Sequence, residues 1–236
     1  MVDERRISIC IPTFQRVDMT LDSFKEVYDD ERVSEIIIVD DASDISVFEE
    51  LKSICDVLPK VKLYRNLTNQ DCYRNKMVAI GYATNDWCIL LDSDNKIGKD
   101  YIDRLFDYSY WDNDTIYAPT FAKPTFDYRA YGLTTIHRTN VADFIDKPLF
   151  ETALNTCNYF VNKNEYLKVW DGSIDPVTSD SIYFTYCWLN TGNRIYFVEG
   201  LEYEHKVWSG SHYVNNVNRT PAGFHESILN NLRNMK

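Results

Sequence analysis

Trp87-Cys88-Ile89-Leu90-Leu91-Asp92-Ser93-Asp94-Asn95 is an apolar run that breaks directly into two acids. The run from Trp87 to Leu91 is short and continuous, as expected of a parallel strand covered on both faces, and Asp-Ser-Asp-Asn ends it. Acids at the carboxyl end of a central strand stand where open α/β sheets take their ligands. With one residue between them, both side chains can address a hard divalent cation, which prefers oxygen and keeps positions open for substrate phosphates. Taken alone, the stretch supports two readings: a metal and nucleotide site, or a polar loop after a strand.

The segments on either side favour the first reading. Ile7 to Ile11 is predicted to be a strand ended by Pro12, which has no N–H for a ladder, and Thr20 to Tyr28 a surface helix. Ile36 to Val39 is a second strand stopping at Asp40-Asp41-Ala42-Ser43, followed by a helix over Ser46 to Ile54. Val61 to Tyr64 and then Cys72 to Ala83 repeat the pattern as strand and helix. Such alternation implies βαβ units and a mostly parallel sheet. The first, second and fourth strands then end in Pro12-Thr13 with Arg16, in Asp40-Asp41 and in Asp92 with Asp94. In a doubly wound sheet these ends lie along one edge and converge on one crevice.

Beyond this point Asp100 to Tyr110 reads as a helix and Thr115 to Ala118 as a short strand. From Thr120 to Phe150, with Pro124 and Pro148 and many aromatics, no period survives. That segment is too apolar for a disordered linker and is expected to pack over the crevice as a wall. Asn158 to Val161 suggests a strand and Lys163 to Val169 a helix. Next come a helix from Ser179 to Leu189 with Ser179 at its cap, a strand from Arg194 to Val198, and a closing helix over Phe224 to Met235. The aromatics between Tyr108 and Phe160 suit either a core or sugar-stacking platforms.

Composition narrows the function classes. The 236 residues carry a net charge of −11, which argues against a sequence-independent grip on nucleic acid. No apolar run approaches the ~20 residues that span a bilayer, and the first thirty residues show no secretory signal. The cysteines at 10, 55, 72, 88, 157 and 187 form no C-x-x-C pair, so they read as reduced packing residues of a cytoplasmic protein.

In order and spacing, Ile9-Cys10-Ile11-Pro12-Thr13-Phe14, Ile37-Ile38-Val39-Asp40-Asp41-Ala42-Ser43, Tyr73-Arg74-Asn75, Leu90-Leu91-Asp92-Ser93-Asp94-Asn95 and Asp180 before Gly192 resemble a family 2 glycosyltransferase of the GT-A fold. The resemblance covers about the first 205 residues. It implies an α/β, Rossmann-like domain spanning 1–236, with a nucleotide-sugar-binding half (1–118), an acceptor-binding and catalytic half (119–223) and a C-terminal helix (224–236). It implies a nucleotide-diphosphate sugar donor, with Pro12, Thr13 and Phe14 lining the nucleoside pocket and Arg16 and Ser93 close by. Asp40 or Asp41 would accept a hydrogen bond from the base, and Arg74 would serve the base or the diphosphate. A carboxylate that accepts an imide N–H favours uridine, and an Arg fork suits phosphate oxygens.

The same resemblance implies Mn²⁺ or Mg²⁺ held by Asp94 and by Asp92, directly or through water, with His205 or His212 as a further ligand. Asp180 would be the general base for a single, inverting displacement by a glycan or glycoconjugate hydroxyl, with Asp175 as the fallback. Family members usually carry Glu-Asp where this chain has Ser179-Asp180. The Gln-x-x-Arg-Trp signature of processive synthases is missing, as are membrane segments, so a soluble enzyme that adds one sugar per encounter is expected. A nucleotide-sugar or glycan-binding module without chemistry is the alternative. A sugar nucleotidyltransferase fits less well, because Ile11-Pro12-Thr13-Phe14-Gln15-Arg16 has no glycine, and a phosphatase of the haloacid dehalogenase type would carry its D-x-D on the first strand.

Overall fold

A computed structural model describes residues 4–156, 158–206, 208, 214 and 216–236. Its first half follows the expected alternation: β1 (Ile7–Thr13), α1 (Asp18–Phe24), β2 (Val33–Asp40), α2 (Ile45–Cys55), β3 (Val61–Arg65), α3 (Asp71–Tyr82), β4 (Trp87–Leu90), α4 (Lys99–Phe106) and β5 (Thr115–Ala118). Every residue of β1 is buried, as a strand covered on both faces requires. β1 also runs on through Pro12, beyond its expected end. The reason lies in the ladder. β4 pairs with β1 only as far as Cys10, and Pro12, two residues on, turns its nitrogen to the side where no partner strand remains.

The second half supplies short pieces where the sequence shows no period: β6 (Phe121–Lys123), β7 (Phe126–Asp127), β8 (Thr135–Ile136) and α5 (Phe150–Leu154). Then follow β9 (Phe160–Asn162), α6 (Lys163–Val169), α7 (Asp180–Asn190), β10 (Arg194–Phe197), β11 (Glu202–Glu204) and α8 (Phe224–Arg233). The eight-stranded sheet has the order β3-β2-β1-β4-β9-β5-β10-β8. β9 is antiparallel to both β4 and β5, and β8 to β10. The other six strands share one direction, which makes the sheet mostly parallel, with helices against it. β11, β6 and β7 form a separate three-stranded sheet.

Several aromatics that could have formed a sugar platform are core. Trp87 stacks on Phe160 at 5.0 Å, with Trp111 edge-on to Phe160 at 4.7 Å and Tyr117 edge-on to Trp87 at 6.1 Å. One acid serves the core in the same way. Glu35 is buried and accepts hydrogen bonds from Ser8 (2.6 Å), Lys62 (2.6 Å) and the Thr84 amide (2.6 Å). Burial alone would raise its pKa, but these donors outweigh it and hold the carboxyl at about 2 against an ordinary 4.5. A depressed carboxyl contributes stability that is complete above the unfolded pKa and lost as pH falls towards the folded one. Urea unfolding of the wild type should therefore lose about 3 kcal/mol between pH 4.5 and 2 that a Glu35→Gln protein does not lose. Identical pH dependence in the two proteins would dismiss this account.

Candidate active site

The carboxyl ends of β1, β2 and β4 meet, and hydrogen bonds between their loops fix the meeting. The Asp41 amide donates to the Thr13 carbonyl (2.8 Å), and the Gln15 amide, at φ +56°, donates to Ser43 Oγ (2.7 Å). Pro12 and Thr13 are buried in this edge, while Phe14 stands 43% exposed at its rim. Asp40 is enclosed: Oδ2 accepts from the Ser43 amide at 3.1 Å, and Oδ1 has no hydrogen-bond partner among the described residues. Asp41 Oδ1 accepts from Asn66 Nδ2 (2.7 Å) and from the Gln70 amide (2.8 Å). Burial nevertheless raises the Asp41 pKa, against the pull of those two donors.

The acidic turn after β4 is held by residues from the far half of the chain. The Asp92 amide donates to Asn158 Oδ1 at 2.9 Å, and the Lys96 amide and carbonyl pair with Glu204 at 3.0 and 2.8 Å. That pairing brings the end of β11 alongside the acids, so His205 sits in the electrostatic field of both Asp92 and Asp94. Desolvation lowers the His205 pKa despite those acids, and its Nδ1 is buried with no hydrogen-bond partner among the described residues. His212 lies outside the described residues.

Asp94 Oδ2 pairs with Arg16 at 3.0 Å and accepts from Trp208 Nε1 at 3.1 Å. Arg16 also donates to Ser93 Oγ at 3.3 Å and lies over the Trp208 ring at 5.1 Å. Asp92 faces a different cation. Lys76 Nζ is 3.5 Å from Asp92 Oδ1 and 2.5 Å from Asp180 Oδ2, at the first residue of α7. Residues 92 and 180 thus approach one buried ammonium, which offsets the repulsion between them.

Lys76 is absent from the residues expected at the site, although the sequence carries a signal for it. It lies three residues after Tyr73 and four before Ile80, on the buried stripe of α3, where an unpaired Lys would be costly. Arg74, expected at the nucleotide, is not brought to this cluster. Two residues correspond to about 200° around a helix, and Arg74 is exposed, donating to the Gly172 carbonyl at 3.3 Å. Asp175 is exposed too, its Oδ1 taken by the Val177 amide at 3.1 Å.

The donor set tests whether a divalent cation fits. Two carboxylates and an imidazole whose buried Nδ1 makes no hydrogen bond among the described residues are suitable ligand chemistry. Among the described residues, however, no three His, Cys, Asp or Glu side chains form a ready-made metal cage. The cations now against the acids are those of Arg16 and Lys76.

The family model for Glycosyl transferase family 2 matches residues 8–170, and the chain belongs to that family. Its fold is that of S. aureus TarS. The crystal structure of TarS 1-349 superposes with a TM-score of 0.63 at 14% identity, covering 97% of this chain and 69% of that one. The chain spans 43% of the longer TarS structure, at a TM-score of 0.60 and 13% identity. TarS 1-349 in complex with UDP-GlcNAc matches over 88% of this chain and 60% of that one, at a TM-score of 0.63 and 14% identity.

Proposed function

We propose that this protein is a metal-dependent, inverting glycosyltransferase that moves one sugar from a UDP-sugar to a hydroxyl of a glycan or glycoconjugate. The observation that carries the reading is the convergence of Asp92, at the end of β4, and Asp180, at the start of α7, on Lys76. Acids that meet from such distant parts of a chain, at a strand end of the kind where open α/β sheets take their ligands, support a reaction centre over a polar loop. TarS has been crystallised with UDP and with UDP-GlcNAc, which favours a uridine donor.

In this reading the edge formed by Pro12, Thr13 and Phe14 receives the nucleoside, and the Asp40-Asp41 pair reads the base. Asp94, Asp92 and His205 are the residues that would hold Mn²⁺ or Mg²⁺ beside the donor's diphosphate. The bound cation supplies Lewis-acid stabilisation of the departing diphosphate. Arg16, beside Asp94 and Ser93, adds a planar donor fork for phosphate oxygen. Asp180 takes the proton from the acceptor hydroxyl as that oxygen attacks the anomeric carbon from the face opposite the diphosphate. Residues 1–118 supply the donor side, and 119–223 the acceptor wall and the base. Among the described residues no helix is long and apolar enough to cross a membrane, and Cys10, Cys55, Cys72, Cys88 and Cys187 are free thiols, in keeping with a reducing compartment.

Thermal melting against UDP-, GDP- and dTDP-sugars, with and without Mn²⁺, tests this assignment. With Mn²⁺ present, a UDP-sugar at about 100 times its Kd should raise the midpoint by roughly 5 to 10 °C, and the shift should be clearly smaller without the cation. Release of UDP should accompany that shift. Binding without turnover of any donor would favour a binding module, and no metal-dependent shift would remove the cation from the proposal.

A further inference from the structure

The start of α7 carries an anomaly. Ser179 is its N-cap residue, a position where a Ser hydroxyl ordinarily accepts a hydrogen bond from the helix's own first turn. It makes no such bond. Its Oγ lies 2.9 Å from His225 Nδ1, and His225 Nε2 lies 2.7 Å from Glu151 Oε1. A carboxylate can only accept, so Nε2 carries the hydrogen that faces Glu151, and in the neutral imidazole Nδ1 accepts from the Ser179 hydroxyl. The capping task passes to a neighbour: Asn155 Oδ1, at the end of α5, accepts from the Ile182 amide at 3.1 Å.

The turn before Ser179 also needs holding. Val177 has φ +50°, unfavourable for a β-branched residue, and such backbone persists only where its surroundings over-determine it. The C-terminal segment supplies the restraint. Thr220 Oγ1 accepts from the Thr178 amide at 3.3 Å and lies 2.7 Å from Thr178 Oγ1. Gly223, at φ +76°, then turns the chain into α8. His225 is the second residue of that helix, and the ring of Phe224 packs 5.9 Å from Tyr183 of α7.

We propose that Glu151, His225 and Ser179 form a positioning relay that fixes the first turn of α7 and so holds Asp180 in place beside Lys76 and Asp92. The inference rests on the reading of Asp180 as the base. It assigns α8, which lies outside the family match of residues 8–170, a task in the reaction. The Ser-His-Glu order does not make Ser179 a nucleophile, because that residue is only 1% exposed and an attacking hydroxyl must reach its substrate.

The test uses whichever of UDP-glucose, UDP-galactose and UDP-GlcNAc the wild type hydrolyses fastest, with UDP release as the readout. His225→Ala should lower kcat roughly 10- to 100-fold, as expected when a reacting group is misplaced by about an ångström, while the KM for donor and the Kd for UDP stay unchanged. Glu151→Gln, which keeps an acceptor oxygen opposite Nε2, should restore most of the rate lost in Glu151→Ala. Ser179→Ala combined with His225→Ala should cost no more than either alone. Unchanged kcat in folded His225→Ala, or a loss of UDP affinity as large as the loss of kcat, overturns the relay. Asp180→Asn is run alongside: full activity there sinks the base assignment itself, whereas an inactive Asp180→Asn with an unaffected His225→Ala sinks the relay alone. Should His225→Ala not fold, His225→Gln and Ser179→Ala carry the same comparison.

Discussion

Asp180→Asn should lower sugar transfer by about 10² to 10⁴, the range a positioned general base supplies, and leave the Kd for UDP unchanged. The amide keeps the size of the carboxylate and can still accept a hydrogen bond from Lys76, now 2.5 Å from Asp180 Oδ2. What it cannot do is take a proton from the acceptor. Because Lys76 also faces Asp92 at 3.5 Å, the ammonium keeps an anionic partner in the variant and folding should be little affected. Steady-state kinetics with calorimetric UDP binding checks both halves. An Asp180→Asn protein with more than about a tenth of wild-type turnover would contradict the roughly hundredfold minimum expected of a lost base.

Asp94→Ala should abolish the Mn²⁺-dependent part of both binding and turnover, with a rate loss of roughly 10³, equivalent to the several kcal/mol a Lewis acid contributes to a departing oxyanion. Two partners lose their acceptor at once, since Asp94 Oδ2 holds both Arg16 and Trp208. The Arg16 guanidinium would then turn more of its donors to phosphate, so some metal-independent UDP affinity should survive. Melting curves with UDP, with and without Mn²⁺, separate these contributions. A Mn²⁺ response that persists at wild-type size would move the cation away from Asp94.

Much of the first half is readable in the residues themselves. Continuous apolar runs punctuated by Pro12, by Asp40-Asp41 and by Asp92-Asp94 specify buried parallel strands and place their ends on one edge, because that geometry follows from period and chain direction alone. The stretch from 120 to 150 is illegible for a physical reason. Its elements are two or three residues long, shorter than the window over which a period shows. α5, of five residues, escapes for the same reason. Lys76 is masked by Arg74, whose guanidinium suits phosphate but which stands on the opposite side of α3. The role of Asn158 in seating Asp92 depends on a contact across 66 positions that no local pattern announces. His225 reaches Ser179 from 46 positions away and is hidden in the same manner.

The reversed strand β9 has a wider consequence. It comes from residues 160–162, yet it lies between β4 and β5, strands of the first half that would otherwise be neighbours. The two halves of the chain are therefore woven through one another rather than laid side by side, and a cut between them would leave the sheet without β9 between β4 and β5. Two halves that share one sheet in this way are poorly suited to swing apart on a hinge between them, so in the proposed reading substrates would enter and leave past the turns at the rim of the sheet.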